Sequence, residues 1–414
     1  MGTACSNVSS SYFSVLPPEI NIHILSFLDA KELLEVALVN KEWNRLALDE
    51  ALWRRLCDRR WKELREGRRL KFSKHKRQKM VPLKRSESWK DVFAHRTRVD
   101  KNWSTGNYSR VVTLRGHEGQ VCCCQYDEEK IVSGSFDSSI KVWDIRNLDT
   151  EEEVSAVMTL KKKETNAAHT DRVLCLMFED NTLVTGGRDE TIKIWDLETG
   201  TCVNTLSGHS DNVWYLQFDH EKIISGSADK TIRHWDIRTG KCYKTLIGHD
   251  RGLSCLHFEN EENLLMSGSA DQTIRLWDLR TDQCRQILEG HEEAVYCLYY
   301  YNRKLISGGE DKTARIWDID SGKCTSTISD ETCKDKHTGA IYCMQFDDAR
   351  LVTGSFDHTI KVWDMNTEEC LCTLGKDLGD EDDFHTNTVR CIQFDDHKMV
   401  SASADRTIKL WDMR

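Results

Sequence analysis

The rhythm of apolar and polar residues changes once along this 414-residue chain, near residue 110. Ahead of that point apolar residues recur at helical spacing. Ile20, Ile24 and Leu28, with Leu25, follow i, i+4, i+8 and predict a helix opened by Pro17 and Pro18, where a missing N–H costs least. Asp29 is a candidate N-cap for a second helix carrying Leu33, Leu34, Val36, Ala37 and Leu38. A third helix includes Trp43, Leu46 and Leu48, and a fourth runs through Leu52, Trp53 and Leu56. Beyond residue 110 the period drops to two. Val213–Phe218, Lys222–Ser227, Thr231–Ile237 and Cys242–Leu246 read as four strands, β-branched or aromatic, with turn residues between them.

That four-strand unit is one of seven. A Trp-Asp pair occurs at Trp143, Trp195, Trp235, Trp277, Trp317, Trp363 and Trp411. Six residues before each Trp stands an Asp: Asp137, Asp189, Asp229, Asp271, Asp311, Asp357 and Asp405. Four residues before each Asp is a hydroxyl: Ser133, Thr185, Ser225, Ser267, Ser307, Thr353 and Ser401. A His precedes each Asp by 20 residues, or by 22 in the fourth unit, where it is His249. Periodic self-similarity of this kind marks a repeat architecture.

Units of this length, with four strands, a Gly-His and a Trp-Asp, resemble the WD-repeat family, and the resemblance covers everything after about residue 110. It implies an all-β, closed, seven-bladed propeller over residues 110–414. It also implies that His, Ser/Thr, Asp and Trp form a hydrogen-bonded chain inside each blade. A Ser, a His and an Asp together invite comparison with a hydrolase triad, but seven identical sets at blade spacing point to a structural role. The last Trp-Asp ends the chain, so the seventh blade lacks its own fourth strand. Val111-Val112-Thr113-Leu114 matches the fourth-strand pattern and is expected to supply it, removing open edges. The recurrent cysteines read as small apolar fillers rather than metal ligands, since no matched Cys-x-x-Cys pair is present.

The segment from Leu16-Pro17-Pro18 through Val39-x-x-x-Trp43 to Leu52-Trp53-x-x-Leu56-Cys57 resembles an F-box. Its apolar positions cover more of each helix than a core of about 45 residues can absorb, which points to a partner helix face. The chain is thereby divided into a flexible N-terminus (1–11), an all-α F-box (12–61), a basic helical linker (62–109) and the propeller (110–414). The resemblance to F-box/WD-repeat proteins implies a substrate-recognition subunit of a cullin–RING ubiquitin ligase. Contact with the small Skp-type adaptor, and through it cullin and RING subunits, would fall on Leu16, Pro17, Ile20, Ile24, Leu28, Leu33, Val39 and Trp43. Ubiquitin transfer is done elsewhere in such an assembly, so no catalytic residue and no cofactor is expected here, and the chain is expected to act as a monomer within the complex. A scaffold that works without ubiquitylation is the alternative.

The family resemblance also places three positions per blade on one propeller face: the residue before the repeat Asp, the second residue of the first strand, and the residue two before that. Off-pattern residues there are Trp214, Tyr296, Tyr342, Phe356 and Phe136, an aromatic set read either as a protein-binding hot spot or as a channel plug. Arg172, Arg188 and Arg390 join them. Arginine clusters on this face read phosphorylated peptides in the family, whereas three split arginines on an acidic propeller favour a substrate with apolar and basic anchors.

Charge changes the picture in one respect. The net charge is −10, yet residues 1–110 are basic and the remainder strongly acidic, as expected of two modules with different partners. The run from Lys62 to Arg85 reads as a nuclear-import signal, a nucleic-acid patch or a solvated linker, with nucleic acid the least favoured. No apolar run approaches a membrane span, and the 17 cysteines suit a reducing cytoplasm or nucleus. Gly2 and Cys5 fit a dual-acylation pattern, the only route to a membrane that the sequence offers.

Overall fold

The computed structural model describes residues 16–67, 88–146, 154–161, 167–328, 336–375 and 383–414. It divides into two compact units, Met1–Lys101 and Asn102–Arg414. Among the described residues, five helices occupy the first part of the chain: α1 (Pro18–Leu25), α2 (Ala30–Ala37), α3 (Lys41–Ala47), α4 (Glu50–Gly67) and α5 (Trp89–Thr105), the last four residues of which belong to the second unit. Asp29 caps α2 through a reciprocal box: its carboxylate accepts the Glu32 N–H, and the Glu32 carboxylate accepts the Asp29 N–H, each at 2.8 Å. Such a cap contributes about 1 kcal/mol. Asn40 caps α3 through its side-chain oxygen, which accepts the Trp43 N–H. The helices bury Leu25, Leu33, Leu46, Leu52, Trp53, Leu56 and Phe93 in one core.

The second unit is a seven-bladed β-propeller of seven four-stranded antiparallel sheets. Six blades use four consecutive strands. The seventh takes Arg110–Leu114 as its outer strand, paired antiparallel with Ile408–Asp412 so that Val111 faces Trp411. Each sheet is separate, so no sheet closes on itself by hydrogen bonds; blades join by packing and by side-chain clamps. Blade seven meets blade one through Gln393, which accepts the Tyr126 N–H at 2.8 Å and donates to the Tyr126 carbonyl at 3.4 Å. Gln345 clamps Phe394 of the seventh blade similarly. The last turn of α5 is fixed to this end of the ring: Trp103 is buried, donates to the Asp396 carbonyl at 3.0 Å and packs on Phe394.

The repeat residues form the expected chain in all seven blades. The indole N–H donates to the hydroxyl at 2.8–2.9 Å. The hydroxyl meets His Nε2 at 2.7–2.9 Å. His Nδ1 meets the Asp carboxylate at 2.7–3.1 Å. A fifth member follows each Asp by two residues, from Ser139 to Thr407, and its hydroxyl reaches the other carboxylate oxygen at 2.5–2.8 Å. Burial pushes these carboxyls up, but the His and hydroxyl hydrogen bonds outweigh it and hold Asp137, Asp229 and Asp405 well below the usual range. Each carboxylate also accepts the N–H of the residue after the His, as in Glu118 and Ser210. It therefore ties the loop that enters a blade to the turn between its second and third strands. Those two segments carry the candidate site.

Candidate functional site: the bulged rim of the propeller

In every blade the register between the first two strands slips by one residue near its start. The extra residues are Cys122, Leu174, Trp214, Ser254, Tyr296, Tyr342 and Arg390. A bulge bends the strand and re-aims its side chain, so this position differs physically from its neighbours. The residue before each repeat Asp is held beside it: the N–H groups of Phe136, Arg188, Glu310 and Phe356 donate at 2.8–2.9 Å to the carbonyls of Gln120, Arg172, Ala294 and Ala340. The same bond recurs in the other three blades. All three sets of positions share one rim.

Five of the eight singled-out side chains there form a continuous ladder across five blades. Tyr296 stacks on Tyr342, with ring centroids 4.9 Å apart and planes inclined by 18°. The Arg390 guanidinium lies 5.1 Å from the Tyr342 ring and 5.3 Å from Phe136. Arg172 continues the run 4.2 Å from Phe136. The ladder is thus aromatic, aromatic, cation, aromatic, cation, which satisfies each guanidinium against a π-face. Arg390 Nε is buried and makes no hydrogen bond, and Gln120 Oε1 on the same rim is in the same condition. Burial pushes the Cys122 thiol up to about 12, against the opposing pull of Arg390 and Arg172 beside it. Burial also raises Tyr296, with its hydrogen bond to Glu310 and the nearby Tyr342 adding to the shift.

The other three stand apart from the ladder. Trp214 is 37% exposed and Phe356 56% exposed, and Arg188 lies 3.8 Å from Asp171. The arginines therefore do not converge on one point: two are engaged by rings and the third by a carboxylate. Sequence reading found the positions but not the ladder, because stacking between blades depends on the bulges. Gln120 carried no chemical signal of its own.

On the helical unit, Leu16, Ile20, Ile24, Phe27, Leu34, Leu38 and Val39 are exposed, Leu38 at 86% and Val39 at 67%. Pro17 is exposed as well. Leu33 corrects the expected contact set. It is 1% exposed and sits in the core of its own unit, where α2 turns it inward, so it shapes the surface from beneath. Leu28 and Trp43 are half-buried and pack against the same core. Leu25, Phe27, Leu28, Leu33, Leu52 and Arg55 help line a cavity of about 110 Å³.

Gly2, Cys5 and most of the basic run between Lys62 and Arg85 lie outside the described residues. Among the described residues no group of three or more His, Cys, Asp or Glu could hold a metal ion, and no helix is long and apolar enough to cross a membrane.

This architecture defines a repeat propeller preceded by a small helical module. A family model for the F-box-like domain matches residues 13–59. One for the WD domain, G-beta repeat, matches residues 108–144, 160–196, 200–236, 240–278, 282–318, 322–364 and 380–412. The chain belongs to the F-box/WD-repeat family. It is similar to "Probable E3 ubiquitin ligase complex SCF subunit sconB" of Arthroderma benhamiae, at 34% identity over 32% of this chain and 23% of that protein. The protein of the same description from Aspergillus fumigatus is 28% identical over 47% of this chain and 30% of its own length. The "F-box/WD repeat-containing protein pof1" of Schizosaccharomyces pombe is 31% identical over 34% of this chain and 33% of that protein. The matches therefore span about a quarter to a third of those relatives. The crystal structure of the WD40 β-propeller domain of Doa1 superposes with a TM-score of 0.62 at 20% identity, covering 74% of this chain and 98% of that one, a likeness of fold alone.

Proposed function

We propose that this chain is the substrate-recognition subunit of an SCF-type cullin–RING ubiquitin ligase. The observation that carries the reading is the pairing of two surfaces in one chain. The F-box-like unit exposes Ile20, Ile24, Leu38 and Val39, too much apolar surface for a free mini-domain. The propeller presents a rim of aromatic and arginine side chains, the residue types that dominate protein interfaces. On this reading the first surface docks the adaptor, and through it cullin and RING subunits, while the second holds a protein substrate. The chain contributes effective concentration and orientation rather than chemistry. The names of the sconB relatives support the assembly. The same reading places the chain in the cytoplasm or nucleus, where its thiols stay reduced.

The test is affinity capture of the full chain with and without an Ile20→Asp/Ile24→Asp double substitution. Adaptor and cullin should be captured by the wild type and lost from the variant, while proteins bound at the propeller are retained. Propeller-bound proteins that rise in abundance when cullins are inhibited mark a ligase receptor. Unchanged abundance favours the scaffold alternative.

A further inference from the structure

Two positive charges on the rim are left unanswered by the fold. Arg146, Arg280 and Arg414, all exposed, each turn back on the Asp two residues earlier. Arg172 and Arg390 are half-buried, where water helps less, yet among the described residues neither guanidinium is paired with a carboxylate. Their neighbours are rings: Phe136 for both, and Tyr342 for Arg390. A π-face attracts the charge but cannot satisfy the five N–H donors that a guanidinium directs outward in its plane. Arg390 Nε is buried without an acceptor. Gln120 Oε1 is buried without a donor, on the residue whose carbonyl accepts the Phe136 N–H at 2.9 Å.

The surroundings decide which anion suits these donors. A phosphate carries close to two negative charges and is held best where several arginines converge. Here the third arginine, Arg188, is already 3.8 Å from Asp171. The propeller is also strongly acidic, so a dianion meets more repulsion than a carboxylate does. A carboxylate needs only one fork of N–H groups. Phe356 stands on the blade that carries Tyr342 and is 56% exposed, an apolar surface open to a neighbouring side chain of the same bound segment.

We propose that the rim selects an unphosphorylated acidic segment of the substrate. One Asp or Glu carboxylate sits on the Arg390–Phe136–Arg172 stretch of the ladder, and an apolar residue beside it packs on Phe356. This selectivity rests on the rim being the substrate-holding surface proposed above, and adds the chemistry that surface takes.

The full chain, immobilised, is panned with a library of short random peptides, and the enriched peptides are resynthesised. They should carry an Asp or Glu next to an apolar residue. Exchanging that acid for its amide should weaken binding at least about tenfold, and exchanging it for phosphoserine should not strengthen it. An Arg172→Gln/Arg390→Gln double variant that still melts cooperatively should lose the peptides to the same degree, while Arg280→Gln keeps them. A library yielding no peptide that depends on the two arginines, or acidic peptides whose amides bind equally well, would overturn the carboxylate site. A phosphoserine form that binds at least about tenfold tighter would overturn it in favour of a phosphopeptide site. In any of these cases, peptides lost on Phe136→Ala would leave the rim standing as the substrate surface. Peptides indifferent both to Phe136→Ala and to the double variant would sink the two readings together.

Discussion

The Arg172 guanidinium of blade two stands 4.2 Å from the Phe136 ring of blade one. The same ring meets Arg390 of blade seven. Phe136 is therefore the one rung of the ladder that two cations share. Phe136→Ala should lower substrate capture at least about tenfold, while each lost cation–π contact costs only about 1 kcal/mol of stability. Capture assays paired with thermal melts check both; undiminished capture would move the binding surface off this rim.

The five-membered network inside each blade predicts a graded response. His209→Ala leaves Asp229 buried with fewer donors and should cost about 3 kcal/mol. Trp235→Phe keeps the packed ring and loses only the N–H to Ser225, and should cost about 1 kcal/mol. Chemical denaturation of the two variants should rank them in that order.

Acid sensitivity should begin at histidine rather than carboxylate pH. Burial pushes His257 and His234 down to about 4, from the ordinary imidazole value of 6.5. The unfolded chain takes up these protons below pH 6.5 while the native chain resists until about pH 4, so stability falls across that window. Burial lowers His169, His337 and His385 in the same direction. The network carboxylates sit below their ordinary 3.8, so their contribution is complete above that value and is lost only at lower pH. Melting temperature measured from about pH 8 to about pH 4 should decline from about pH 6.5, with a shallower slope in His257→Leu.

The glycines of the second strands predict a contrast between blades. Gly268→Ala would place a methyl group 2.6 Å from the Cys255 sulfur and 2.8 Å from Val295, and should cost about 2 kcal/mol. Gly226→Ala faces no thiol and meets Leu256 at 3.1 Å, so its cost should be smaller. Adding Cys255→Ala should recover part of the first loss and none of the second.

The propeller was legible because its repeat is written in residues whose chemistry is obligatory. A buried Asp demands donors, and the His, hydroxyl and Trp recur at the spacing that supplies them. Thr231 and its equivalents escaped notice because a Thr after a turn is common in any strand. The outer strand of blade seven was readable from Val111–Leu114, which matches the fourth-strand pattern of the other units. Leu33 was misplaced for the opposite reason. On a short helix rich in leucine, periodicity does not separate the inward face from the outward one, and Leu34 and Leu38 took the exposed side. The ladder lay beyond the sequence because its contacts run between blades.

The pairing of Arg110–Leu114 with Ile408–Asp412 has a consequence for how the molecule is made. The ribosome delivers the first of these strands some three hundred residues before its partner. Until Ile408–Asp412 emerges, six blades can form while the seventh sheet waits for the partner of its outer strand. Contacts so distant in sequence form late and slowly, so until that strand arrives the nascent propeller is an open arc with an unpaired edge. Deletion of Ile408–Asp412 would leave Arg110–Leu114 without its partner.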